Sequence, residues 1–75
     1  MEKVGPIIKR SIVIRGGKTS VSLERDFWEA FKSIAEELRV PVSALAQEIY
    51  DTRGSANLSS AIRVYVLRRF RRPMP

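Results

Sequence analysis

The sequence predicts a small α+β domain, a β-hairpin followed by three helices, that associates with a second copy of itself. Three observations carry this. The runs Arg10–Arg15 and Lys18–Leu23 flank a Gly16-Gly17 pair, a signal for a two-residue hairpin. Apolar residues then recur at Phe27, Phe31, Ile34, Ala35 and Leu38, which is helical spacing. The third is size: 75 residues make one small domain that buries only ~60% of its unfolded surface. With no cysteine to form a disulfide, association is the stabilising route that remains.

The hairpin comes first. A turn at Gly16-Gly17 sets Arg15 opposite Lys18, Ile14 opposite Thr19, Val13 opposite Ser20, Ile12 opposite Val21 and Ser11 opposite Ser22. One face then carries Ile12, Ile14, Val21 and Leu23, and the other Ser11, Val13, Arg15, Lys18, Ser20 and Ser22. The two strands agree on which side is apolar, which supports the pairing. Residues 1–9, with Gly5-Pro6, read as a flexible arm; residues 10–72 form the domain and residues 73–75 a tail. The first helix is expected from Arg25 to Arg39, with Glu24 and Asp26 suited to its positive end. Pro41 ends it. Ser43 is the expected N-cap of a second helix, Ala44 to Asp51, and Asn57 that of a third, Leu58 to Arg71. The third carries Leu58, Ile62, Tyr65, Val66 and Phe70 in one stripe, broadened by Val64 and Leu67. Such a wide apolar face calls for cover from a second chain.

Fourteen Lys and Arg against eight Asp and Glu give a net charge of +6, which favours polyanionic partners, nucleic acid before anionic membrane. Enzymatic chemistry is disfavoured. Histidine and cysteine are both absent, which removes the commonest general base, the thiolate nucleophile and most transition-metal ligands. Glu36 and Glu37 are adjacent and diverge on a helix, and Gly16-Gly17 lacks the following helix of a phosphate loop. No enzyme activity, cofactor or metal is expected.

The segment KTSVSLERDFWEAFKSIAEELRVPVSALAQEI, residues 18–49, resembles the ribbon-helix-helix DNA-binding proteins: an alternating strand, an amphipathic helix, a short turn and a second helix. The stretch from Arg10 to Arg72 is similar to a bacterial subgroup of small, uncharacterised members that share a TSVSLE..FW segment and a late LSSAIRVYVL helix. The resemblance implies an intertwined homodimer whose paired strands enter the major groove of double-stranded DNA. By position in that pattern, Lys18, Ser20 and Ser22 would face base edges, with Thr19–Leu23 paired to its own copy. Lysine suits guanine or a phosphate, and a serine hydroxyl suits almost any base edge. The resemblance also implies a phosphate clamp at the amides of Val42, Ser43 and Ala44, where a helix N-terminus favours an anion. Arg15 and the cluster Arg68, Arg69, Arg71 and Arg72 are expected to add further phosphate contacts.

Plainer roles stand beside these. Ser20 and Ser22 serve equally as the solvent side of a strand. The four arginines also suit a helix end that complements the dipole, but four in five residues exceed that need, which favours phosphate contact. The departure from the family pattern is the first strand. A flat four-stranded sheet has outer strands ~14 Å apart, wider than the ~12 Å major groove. The expected function is that of a small bacterial transcriptional regulator, cytoplasmic and nucleoid-associated, without membrane contact; the alternative is an adaptor or antitoxin-like dimer with a protein partner. Nothing in Met1–Ile8 reads as a signal peptide.

Overall fold

In the computed structural model, residues 5–71 are described. Two strands, β1 (Ile7–Ile14) and β2 (Gly17–Glu24), precede three helices, α1 (Arg25–Leu38), α2 (Val42–Thr52) and α3 (Leu58–Phe70). The strands pair antiparallel over eight residues each, from Ile14 opposite Gly17 to Ile7 opposite Glu24. Strand–strand–helix–helix–helix is the predicted order.

The turn differs. It is Arg15-Gly16, with φ of 50° and 78°, rather than Gly16-Gly17. Both central residues take the positive φ that a tight hairpin turn requires, although one is not glycine. Arg15 is held there by α2: its amide donates to Gln47 Oε1 at 2.9 Å and its guanidinium pairs with Asp51. The earlier turn also lengthens the ladder, bringing Ile7, Ile8 and Lys9 into a strand expected to start at Arg10. Every expected partner shifts by two, so that Ser11 faces Ser20, Val13 faces Lys18 and Ile12 faces Thr19. Because side chains alternate with period two, an even shift leaves each on its predicted face. Ile12, Ile14, Val21 and Leu23 are buried, and Ser11, Val13, Lys18 and Ser20 are exposed.

Helix α1 follows β2 without a loop, with Glu24 as N-cap, and buries Phe31, Ile34 and Ala35 against the hairpin. It stops at Arg39, which takes a left-handed conformation (φ 59°). The amides of Arg39 and Val40 donate to Glu36 and Ala35 carbonyls, a closure that satisfies the last turn. Helix α2 opens two residues earlier than expected. Pro41, not Ser43, is the N-cap, because its fixed φ of −63° already suits the position and its carbonyl accepts from the Ala44 and Leu45 amides. Helix α3 is capped as predicted, with Asn57 accepting from the Ser60 amide at 2.8 Å. Leu45, Ala46 and Ile49 of α2 and Leu58, Ile62 and Val66 of α3 complete one core, which holds no buried polar residue among those described.

The predicted stripe of α3 is thus only half used. Val64, Leu67 and Phe70 are exposed, Phe70 by 69%.

Candidate nucleic-acid interface

The outer face of the hairpin is assembled by pairing. Ser11 lies opposite Ser20 and Val13 opposite Lys18, which puts two hydroxyls, one ammonium and one short aliphatic side by side. All four are exposed, and Lys9 continues the row. Lys18 and Ser20 therefore stand where the sequence put them, outward and accessible. Ser22 does not stand so freely. It is half-buried, its amide donates to Ser59 Oγ at 2.9 Å, and its carbonyl accepts from Arg63 at 3.1 Å.

Arg63 also pairs with Glu24 at 2.9 Å, tying α3 to the end of β2. The Glu24 carboxyl is held below its usual range by its own backbone amide and then by Arg63. Sequence reasoning missed Ser59 and Arg63. They lie four residues apart on α3, one face of a helix, and that spacing was their only signal.

The expected phosphate-contacting residues fall into separate groups. At the start of α2, the amides of Val42 and Ser43 open the helix with no intrahelical acceptor to meet, whereas that of Ala44 already donates to Pro41 at 3.0 Å. Arg15 sits at the turn and is 64% exposed, but its guanidinium is held by Asp51, whose carboxyl it lowers. Arg69 pairs with Glu37 at 2.7 Å. Arg68 and Arg71 are exposed and without an ion-pair partner among the described residues; Arg72 lies outside them. Glu37 is thirteen residues along α1 from Glu24, about 20 Å of helix. Through Arg69 the arginine cluster is therefore tied to the far end of α1, away from the Glu24 end of β2.

Two further arginines are occupied by aromatic rings. Arg10 lies over Trp28 at 4.8 Å, with a buried Nη1 that lacks an acceptor, and Arg53 lies over Tyr50 at 3.8 Å. Their charge is partly used in packing. Among the described residues, no cluster of acidic or metal-ligating groups could hold a metal ion, and no helix is long and apolar enough to cross a membrane.

A hairpin leading directly into an amphipathic helix, then a short turn and more helices, defines a class of small α+β domains with a solvent-facing ribbon. Within that class the chain belongs to the ribbon-helix-helix domain family, whose model matches residues 7–70. Domains of this family typically bind DNA, as dimers, and are generally non-enzymatic. Among solved structures the chain is similar to an uncharacterized protein from Bordetella pertussis Tohama I. The two share 36% identity with a TM-score of 0.73, over 85% of this chain and 55% of that one. The chain therefore spans little more than half the length of that protein. A comparison with curated proteins finds no match.

Proposed function

We propose that the chain is a dimeric, double-stranded-DNA-binding protein, a small bacterial transcriptional regulator whose hairpin presents its outer face to the major groove. The observation that carries this reading is the row of exposed groups on that face, Ser11, Lys18 and Ser20 with Lys9 beside them, on a chain of charge +6. Its hydroxyls donate and accept, and its ammonium groups suit guanine or phosphate. Ser22 contributes at the margin of this face. The free amides of α2 supply a phosphate clamp, and Arg68 and Arg71, with Arg15 and Arg69 where their intrachain pairs exchange, supply outlying phosphate contacts. Serines discriminate weakly between bases, so affinity should exceed specificity.

Fluorescence anisotropy with a labelled duplex at low and at moderate salt tests this. Binding through Z phosphate contacts weakens with a log–log slope of about −0.9Z. Lys18→Ala should flatten the slope by about one unit, and Arg68→Ala with Arg71→Ala by up to about two. Ser20→Glu should abolish measurable binding while leaving the fold intact. The exposed Val64, Leu67 and Phe70 of α3 favour a second reading, docking of a protein partner. Salt-independent behaviour and normal duplex affinity in Ser20→Glu would move that reading ahead.

A further inference from the structure

Two arginines that no carboxylate holds line one cleft. It lies between α2 and α3, has a volume of about 300 Å³, and is walled by Ile49 and Arg53 on one side and Ala61, Val64, Tyr65 and Arg68 on the other. Residues 61, 64, 65 and 68 recur at three and four along α3, which puts them on one face of that helix. The inner wall is apolar: Ile49 is buried, Tyr65 is half-buried, and Val64 stands at the exposed lip. Ser60, in the first turn of α3, adds a hydroxyl near the positive end of that helix. Arg53, the C-cap of α2, lies over the Tyr50 ring at 3.8 Å and donates to the Tyr50 carbonyl, so its guanidinium is already held in place. Helical side chains lean toward the helix N-terminus, which brings Arg68 back toward Val64 and the cleft. Neither arginine has an ion-pair partner among the described residues, and Asp51, close to Arg53 in the chain, is taken by Arg15. Two other clefts of similar size differ in this respect. One carries Glu37 beside Arg69, and the other carries Glu29 and Glu36.

We propose that this cleft binds a small aromatic carboxylate, its carboxylate between Arg53 and Arg68 and its ring against Ile49, Val64 and Tyr65. Charge complementarity selects the anion. Two guanidinium groups and no acidic side chain line the cleft, and a guanidinium fork holds a carboxylate through two parallel bonds. The apolar wall selects the ring, which packs against aliphatic side chains and stacks, offset, on Tyr65. A volume of about 300 Å³ is the lower end for a ligand pocket, which fits one ring with a short acidic arm. No duplex is needed to occupy this site, so the ligand stands or falls apart from the DNA reading.

The test follows amide chemical shifts of the labelled chain as phenylacetate is titrated in at constant ionic strength, with phenylacetamide as its neutral counterpart. Phenylacetate should give saturable changes at Arg53, Ser60, Ala61, Val64 and Tyr65, with a dissociation constant of about 1 mM or lower. Phenylacetamide should bind about tenfold more weakly, because it lacks the charge-assisted pair. Arg68→Ala, at an exposed position of α3, should weaken phenylacetate about fivefold and leave the rest of the spectrum in place. Ala56→Trp, which sets an indole at the exposed loop end of the cleft, should block binding with both arginines intact. Equal binding of acid and amide, or an unchanged affinity in Arg68→Ala, would overturn the proposal. So would changes spread evenly over Lys9, Lys18 and Arg71, which report an unselective basic surface. Cleft amides that move with protein concentration but not with phenylacetate would overturn it too, since a second copy then fills the cleft.

Discussion

On β2 the amide and carbonyl of Ser22 end at Ser59 and Arg63; on β1 those of Ser11, of the same residue type and on the same outer face, meet nothing within the described chain. The strands are alike in length and alternation. What separates them is where the helices bond. Helix α3, which begins more than thirty residues after β2, reaches the backbone of that strand through Ser59 and Arg63. Helix α2, packed on β1, bonds only Arg15 at the turn, through Gln47 and Asp51. The contrast teaches that one edge is closed by side chains from a later helix, and the other is left to its own charges, Lys9 and Arg10.

The largest expected effect compares the faces rather than the edges. Val21→Ser removes a fully buried side chain and should cost about 2–3 kcal/mol in urea unfolding. Val13→Ser, on the exposed outer face, should stay within about 0.5 kcal/mol. Similar losses at both positions would mean that the outer face is covered too. Next comes the closed edge. Arg63→Ala strips a donor from the half-buried Ser22 carbonyl, a hydrogen bond that contributes about 0.5–1.5 kcal/mol, and also releases Glu24. Ser11→Ala on the open edge should cost almost nothing, since its backbone groups are unchanged.

The smallest effect is on pH. Glu24 has a folded pKa below its ordinary 4.5. Its contribution is therefore complete above about pH 4.5 and is lost as pH falls through the lowered folded value. Glu24→Gln should remove part of the acid sensitivity and leave the neutral region nearly flat. Asp51, lowered mainly by Arg15, loses its share over a similar acid window at the turn. An acid midpoint unmoved in Glu24→Gln would show that the Arg63 contact adds no stability.

Element order, the faces of both strands and the Asn57 cap are legible because each rests on local rules: period two, period 3.6 and a side chain reaching three residues ahead. The turn is not, since Gly16-Gly17 satisfies the local rule better than Arg15-Gly16. The winning turn is chosen by Gln47 and Asp51, 32 and 36 residues away. Ser43 has the right chemistry for a cap, but the proline two residues before it already does that work. At the candidate interface, Lys18 and Ser20 follow from alternation alone. The half-burial of Ser22 and the pairing of Arg69 with Glu37 depend on how α3 packs, which no periodicity encodes.

Amide chemical shifts of the labelled chain, followed as a duplex is titrated in, test most directly whether the outer face of the hairpin is the DNA-binding surface. The largest changes should fall on Lys9, Ser11, Lys18 and Ser20 and at the start of α2 around Val42 and Ser43, weakening as salt rises. A hairpin that stays silent while Val64, Leu67 and Phe70 respond, or a spectrum that does not change at all, would contradict it.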